Sequence, residues 1–235
     1  DMDGNTTRIS RAADIAASKG MLVVVSAGNQ GNAEWKYITA PADADSVLTI
    51  GAVDRSRLIS TFSSRGPSSD QEIKPNVVAL GQGIFAAYSD GSIRQGNGTS
   101  YSAPVISGLA ACLWQANPES GAMDLFKAIS ESADRFYYPD NDYGHGIPDF
   151  NLANVLLKAS QQGLEPNKPV RAFPNPFYNQ LYIFFESPVS TPVDITLYDT
   201  AGKEVFQKTY QGVTERKYLV IDNDFDRIQK GVYII

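Results

Sequence analysis

The first half of the chain alternates between helical and fully apolar segments. Apolar residues recur at helical spacing within residues 8–19, and Gly20 provides a stop signal. The apolar run that follows, residues 21–25, is typical of a strand buried on both faces, as in a parallel sheet. Residues 47–53 and 84–88 are strand candidates of the same type. The pattern predicts an α/β fold with a doubly wound parallel sheet.

Three further helices and a linker are predicted after these strands. Residues 100–116 are mostly small and apolar, which suits a helix packed tightly in a core. Asn117 and Pro118 are typical of an N-cap and a first helical position, so the next helix is expected to run to about residue 132. Residues 151–160 form the last short helix. Residues 161–171 contain two prolines and a glycine, a composition that indicates a linker.

The pattern changes to period two beyond the linker. Apolar side chains alternate with others in residues 181–185 and 193–197, and residues 199–202 have the composition of a turn. Returning strands are predicted for residues 203–210, 217–221 and 231–235 at the end of the chain. The sequence therefore predicts a separate antiparallel β domain.

Composition and charge restrict the functional classes. Of the 235 residues, 43% are hydrophobic and 20% are charged, so a globular protein is expected rather than a disordered one. A net charge of −6 gives no general reason to bind nucleic acid or an anionic membrane. No apolar run approaches the ~18 residues that span a bilayer, so no transmembrane segment is predicted.

The single cysteine, Cys112, has apolar neighbours and is expected to be buried. Because the chain begins with Asp1 and shows no signal-peptide pattern, we expect a piece of a longer protein.

Ser100 is the candidate nucleophile. It lies at the start of a predicted helix, where the side chain is exposed and the backbone N–H faces incoming negative charge. A serine hydroxyl also needs a base to take its proton and a donor to stabilise the developing oxyanion. Gly96 and Gly98 leave room for a substrate backbone. Taken alone, a serine at this place is more typical of an ordinary helix N-cap than of a nucleophile.

Three longer segments resemble the subtilisin family of serine peptidases, the subtilases. Residues 97–104, followed by residues 108–111, resemble the nucleophile region of that family. The strand that ends in Gly28 and Asn29 resembles the family's oxyanion segment, and residues 47–53 and 62–67 resemble the connection between the two. The resemblance covers roughly residues 8–158. It implies a serine endopeptidase that needs no cofactor, forms an acyl-enzyme on Ser100 and uses the Asn29 side chain as an oxyanion donor.

The resemblance also implies a substrate pocket and a missing base. Ser26, Ala27 and Gly28 are expected to form one wall of the pocket for the residue before the cleaved bond. The family order is Asp, then His, then Ser along the chain, but the only histidine, His145, lies after Ser100. We therefore expect the catalytic Asp and His to lie upstream of this chain, and the chain alone to be inactive. No metal site is predicted, because the acidic turns at residues 1–5 and 140–142 lack a calcium-loop pattern.

The β-rich tail resembles the carboxy-terminal sorting domain of the type IX secretion system of Bacteroidetes-type bacteria. The similar segments are residues 173–177, 181–183, 195–205 and 231–234. The resemblance implies a small immunoglobulin-like sandwich, here expected to lack its last strand. The predicted organisation is a peptidase portion at residues 1–160, the linker at 161–171 and the sorting domain at 172–235. The expected partners are a protein or peptide substrate and the type IX machinery, and the expected location is secreted or at the cell surface, reached through the periplasm.

Two alternative functions remain open at this point. The peptidase portion could belong to an inactive pseudoprotease or scaffold that kept the fold and lost its upstream base. The tail could be a β module that binds a glycan or a protein. The upstream sequence discriminates the first alternative, and a cluster of exposed aromatic side chains on one face of the tail would favour the second.

Overall fold

Three parallel strands form the central sheet of the first half of the molecule, in the order β1-β2-β3. They are β1 (Val24–Ser26), β2 (Leu48–Val53) and β3 (Val77–Leu80). All six residues of β2 are buried, as expected for an apolar strand covered on both faces. The prediction of an α/β fold with a parallel sheet is confirmed.

The structure, a computed structural model, describes residues 2–161, 170–177, 180–185, 189–212, 218–222, 225, 228 and 230–235. The chain divides into two compact units, Asp1–Gln161 and Gln162–Ile235. The predicted linker falls mostly outside the described residues. Gln161 is still part of the last helix, and residues 170 and 171 are already in a strand.

Four helices accompany the sheet: α1 (Arg8–Ser18), α2 (Thr99–Ala116), α3 (Ala122–Glu131) and α4 (Phe150–Gln161). Helix α2 packs on all three strands of the sheet, and α3 and α4 pack against α2 and each other. Their apolar side chains form one buried cluster with the sheet: Leu48, Ile50, Val77, Ala79, Ala103, Ile106, Ala110, Leu113, Leu125, Ala128, Ile129, Ala133, Ala153 and Leu157. This core holds the N-terminus of α2 at a fixed place relative to the strands.

The third predicted strand belongs to a hairpin and not to the parallel sheet. Strand β4 (Gln82–Ala87) pairs antiparallel with β5 (Ile93–Asn97), and the two form a sheet of their own. Besides β1, the parallel partner of β2 is β3, which the sequence pattern missed. Strand β3 has only four residues and follows directly after Pro75 and Asn76, so its apolar run is too short to be distinctive.

Two local predictions were wrong. Asn117 caps the C-terminus of α2 instead of starting α3, because its Nδ2 donates to the Leu113 carbonyl at 2.9 Å. Helix α3 starts five residues later, where Asp124 accepts a hydrogen bond from the Gly121 N–H at 2.8 Å. Cys112 is exposed, because it lies on the face of α2 that points away from the core.

The described residues of the second unit form two antiparallel sheets of three strands each. One consists of β6 (Val170–Phe173), β7 (Gln180–Phe185) and β10 (Tyr218–Asp222), and the other of β8 (Val193–Asp199), β9 (Glu204–Tyr210) and β11 (Tyr233–Ile234). One buried cluster draws on both sheets: Leu181, Ile183, Ile195, Leu197, Leu219, Ile221 and Phe225. The predicted antiparallel β unit is thus observed, while its immunoglobulin-like topology and missing last strand stay predictions.

Across the described ranges, none of the helices combines the length and the apolar character required to cross a bilayer.

Candidate active site

The candidate site lies at the carboxyl edge of the parallel sheet. Strand β1 ends at Ser26 and leads into Asn29, while β3 ends at Leu80. The Gly98 N–H donates to the Gly81 carbonyl at 2.8 Å, which fixes the start of α2 just beyond β3. Ligands in open α/β sheets bind outside the carboxyl ends of the strands. The fold therefore brings the two sequence-predicted segments, residues 26–29 and the nucleophile region, to the same edge.

Thr99 fixes the orientation of the Asn29 side chain. Its backbone N–H donates to Asn29 Oδ1 at 2.9 Å, and its hydroxyl donates to the same oxygen at 3.0 Å. The Thr99 hydroxyl oxygen in turn accepts the Gly28 N–H at 3.2 Å. Because two donors hold Oδ1, the amide group is oriented and Nδ2 is left as a donor. In the described part of the chain, Nδ2 has no hydrogen-bond partner.

Ser100 occupies the second position of α2 and is exposed to solvent. Backbone N–H groups in the first turn of a helix have no intrahelical partner, and the helix dipole adds partial positive charge there. The N-cap residue, Gly98, has no side chain that could satisfy these groups. The Ser100 N–H and Asn29 Nδ2 are therefore two donors available to an anion at the end of α2.

The predicted pocket wall lies at the edge of β1 that pairs with no other strand among the described residues. Val23 and Ala27 hydrogen-bond to β2, so the backbone groups of Ser26 point to the opposite edge of the strand. Ala27 is fully buried, and its carbonyl accepts the Thr39 N–H at 3.3 Å. Backbone groups that point outward from a strand, as those of Ser26 do, can pair with the extended backbone of a peptide.

Gly28 is required at its position by both backbone and space. Its φ of +108° disfavours any residue with a side chain, and a Cβ there would lie 2.9 Å from Ser64 Oγ and 3.0 Å from Thr39 Oγ1. Ser64 Oγ also accepts the Gln30 N–H at 3.0 Å. Sequence reasoning missed Ser64 and the role of Thr99. Thr99 could have been suspected only because it precedes Ser100.

His145 lies at the opposite edge of the sheet from Ser100. The backbone N–H of His145 donates to the Asn76 carbonyl at 2.8 Å. Asn76 immediately precedes the first residue of β3, whereas α2 begins beyond the last residue of that strand. The imidazole packs against Phe136 with ring centroids 5.1 Å apart, and its Nδ1 is buried without a partner among the described atoms. Burial of the ring lowers the pKa of His145 below its usual value.

The carboxylate oxygens of the two acidic turns accept hydrogen bonds from backbone N–H groups of the same turns. Asp3 accepts the Thr6 N–H at 2.8 Å, and hydrogen bonds from Thr6 hold its pKa below the usual value. Asp140 accepts the N–H groups of Asp142 and Tyr143 at 2.8 and 2.6 Å. In the ranges that the structure describes, no group of three or more His, Cys, Asp or Glu side chains could hold a metal ion.

Comparison with known proteins defines the class of both units. Residues 1–146 match the subtilase family, and since this match covers more than half of the chain, the chain belongs to that family. Residues 171–235 match the secretion system C-terminal sorting domain, which indicates a type IX address and a secreted or cell-surface protein.

Individual relatives show how much of a subtilase is present. Subtilisin DY of Bacillus licheniformis is 33% identical over 138 residues, which are 57% of this chain and 48% of the relative. Serine protease AprX of Bacillus subtilis is 31% identical over 158 residues, covering 58% of this chain and 36% of AprX. The self-cleaved protease domain of PatA shares the fold, with a TM-score of 0.57 at 24% identity over 68% of this chain and 58% of that structure. The chain thus spans less than half the length of these two curated relatives.

Proposed function

We propose that the chain is the carboxy-terminal part of a subtilisin-type serine endopeptidase that forms an acyl-enzyme on Ser100. The observation that supports this most directly is the Asn29 side chain, whose oxygen is held by Thr99 and whose Nδ2 is left beside the start of α2. Ser100 Oγ attacks the carbonyl carbon of the scissile peptide bond. The carbonyl oxygen becomes an oxyanion between the Ser100 N–H and Asn29 Nδ2.

The rest of the cycle needs groups from outside these 235 residues. A histidine base takes the Ser100 proton and returns it to the leaving amine, and an aspartate orients that base. His145 does not serve, because it lies at the other edge of the sheet. Water then hydrolyses the ester bond between Ser100 and the acyl group. Residues 26–28 bind the substrate backbone before the cleaved bond, and the 235-residue chain by itself is inactive.

The type IX sorting domain delivers the enzyme to the cell surface or the medium, where protein or peptide substrates are met. The partners are therefore the substrate and the secretion machinery, and the reaction needs no cofactor.

A serine-directed probe on the complete protein tests this function. We expect a fluorescent fluorophosphonate to label the wild type, Ser100→Ala to abolish both labelling and peptide hydrolysis, and Ser107→Ala to leave both unchanged. Ser107 is a matched control because it is an exposed serine on the same helix. Labelling that persists in Ser100→Ala would contradict the nucleophile assignment. A folded wild type that neither labels nor hydrolyses peptides would favour the pseudoprotease alternative.

A further inference from the structure

The hairpin β4–β5 carries exposed apolar side chains immediately before the candidate nucleophile. Pairing of Phe85 with Gln95 and of Ala87 with Ile93 places these four residues on one side, called here the outer face. Phe85 is 62% exposed and Ile93 is 73% exposed. An apolar pair this exposed on a short hairpin has no role in the core of the unit.

The opposite side of the hairpin is fixed to the first turn of α2. Gly96 lies under the Tyr101 ring so closely that a Cβ there would be 2.7 Å from ring atom Cε2. The Tyr101 hydroxyl lies 3.1 Å from the Tyr88 hydroxyl. The Arg94 guanidinium covers the Tyr88 ring at 4.4 Å from its centroid and is held by Asp90 at 2.7 Å. The outer face is therefore presented at a fixed place relative to Ser100.

The two sides of Ser100 are separated by Gly98. A Cβ on Gly98 would lie 3.5 Å from Asn29 Nδ2 and 3.7 Å from Tyr101 Cδ2, so Gly98 lies between the oxyanion donor and the tyrosine. Residues 26–28 and Asn29 occupy the side of β1, where the acyl part of a substrate is placed by the proposed function. The hairpin occupies the other side, which is left for the leaving-group part of the substrate.

The length of strand β5 indicates which residues of an extended substrate could contact the outer face. Strand β5 runs from Ile93 to Asn97, and at roughly 3.3 Å per residue it extends about 13 Å. An extended peptide covers the same distance in about four residues. This length is counted from Asn97, so Phe85, which pairs with Gln95 about 7 Å along the strand, lies within reach of the third or fourth residue after the cleaved bond, and Ile93 lies farther along the same face.

We infer that the outer face binds an apolar side chain at the third or fourth position of the leaving-group part of an extended peptide substrate. This inference rests on the proposed function. The occupant is a peptide strand because the apolar area is only about two side chains wide and continues directly into the nucleophile segment. Gln95 on this face and Asn97 beside it are neutral hydrogen-bonding side chains that suit a peptide backbone, although Asn97 Oδ1 already accepts the Gly83 N–H at 2.7 Å. Tyr101 acts as a positioning residue that holds the hairpin.

Binding measurements on the complete Ser100→Ala protein test the inference without turnover. Two fluorescent peptides are compared, with leucine or with serine at the third and fourth positions after the intended cleavage site. We expect Phe85→Ser combined with Ile93→Ser to raise the Kd of the leucine peptide about tenfold and to leave the serine peptide unchanged. Met123→Ser, which alters an exposed apolar residue on α3, is the matched control and should change neither. Equal affinity of the two peptides for the unmodified outer face would overturn the inference.

Kinetics on the active protein separate this inference from the proposed function. A short anilide substrate has no leaving-group residues, so its kcat and KM should be the same with and without the two hairpin substitutions. Tyr101→Phe removes the hydroxyl contact to Tyr88 and should raise KM only for the extended leucine peptide. Loss of activity on the anilide in the hairpin variant would contradict a role limited to the leaving group. A wild type that cleaves neither substrate would contradict the proposed function. The Kd values of the leucine and serine peptides would still test whether the outer face binds an apolar side chain.

Discussion

At the residue scale, two hydrogen bonds from Thr99 determine what Asn29 can do. An amide that could rotate freely would offer its oxygen as often as its nitrogen to an incoming carbonyl group. With Oδ1 held at 2.9 and 3.0 Å, the rotation that would present the oxygen breaks both bonds. The side chain therefore presents donors without reorganising when charge develops, which is the condition for strong oxyanion stabilisation.

Removal of this donor gives the first prediction. Asn29→Ala in the complete protein is expected to lower kcat by roughly 10²–10³ and to leave KM nearly unchanged, because the lost hydrogen bond forms mainly in the transition state. Steady-state kinetics on one peptide substrate measure both constants. Asn32→Ala, which alters an exposed asparagine three residues later, is the control and should match the wild type. A decrease confined to KM would show that Asn29 binds the ground state instead.

The burial of the His145 ring leads to a prediction about how the stability of the fold depends on pH. The folded pKa lies below the unfolded value of 6.5 because burial disfavours the charged ring. As the pH falls through about 6.5, the unfolded chain takes up the proton before the folded one, so stability is lost toward acid. Denaturant unfolding at pH 8, 7, 6 and 5 should show this loss in the wild type and less of it in His145→Phe.

Activity supplies the control for the same residue. His145→Phe should keep kcat within about threefold of the wild type at pH 8, since the ring has no part in proton transfer. A large decrease in kcat, or a pH profile of stability identical to the wild type, would contradict this account.

The candidate site could be predicted from sequence only where one short segment carries the signal. Ser100 and Asn29 lie in motifs that are contiguous along the chain. The contact of Asn29 with Thr99, by contrast, joins residues 70 positions apart. The same limit hid Ser64, whose hydroxyl lies against Gly28 only after the loop following β2 has folded back. Such pairings depend on tertiary structure, and no local pattern encodes them.

At the element scale, local apolar runs predicted the existence of strands better than their partners. Strand β2 was predicted because six consecutive buried residues leave a long apolar run. Residues 84–88 gave a similar run but lie in a hairpin, where exposure alternates between the two faces. A run of five residues does not distinguish these cases, because both burial patterns tolerate apolar side chains. The start of α3 was missed for a related reason, since Asn117 has the right chemistry for either end of a helix.

Lys74 connects the segment before β3 to the loop before β2 and gives a prediction at this scale. Its side chain is 1% exposed, with Nζ 2.8 Å from the Ala44 carbonyl and 3.5 Å from Glu72 Oε2. Burial lowers the pKa of Lys74, and the charge of Glu72 opposes that shift. The ammonium is thus costly to bury, and its removal leaves the buried Ala44 carbonyl without a partner, while the Glu72 carboxylate, whose side chain is 41% exposed, stays solvated.

Substitution of this lysine should therefore destabilise the fold. Lys74→Ala is expected to lower the free energy of unfolding by about 3–5 kcal/mol, and Lys74→Met by less, because methionine keeps most of the volume. Urea denaturation followed by circular dichroism measures both. Lys127→Ala is the control: that lysine is mostly exposed and lies 3.8 Å from Glu131, so its loss should cost under about 0.5 kcal/mol. Similar losses at both lysines would refute the buried-partner argument.

At the scale of the whole molecule, the two units build their apolar cores in different ways. The first buries a continuous apolar sheet beneath helices, and the second buries alternate residues of two antiparallel sheets. The change of period from 3.6 to 2 along the chain was therefore enough to predict two folding classes in one sequence. The histidine base and the aspartate of the proposed mechanism have no candidates in the motifs of this sequence, so their positions could not be predicted.

The division into units leads to a prediction about export. Stopping the complete protein at Gln162 in a type IX-competent host should leave an active peptidase in the periplasm and remove it from the surface and the medium. The reason is that the second unit has its own buried cluster, so the peptidase core keeps its packing when that unit is removed. Immunoblots and peptidase assays of the separated fractions measure the outcome. A periplasmic reporter fused to the segment from Val170 onward is the complementary control and should be exported. Normal surface levels of the truncated enzyme would show that the tail is not an address, and degradation in every compartment would show that the first unit depends on the second for folding.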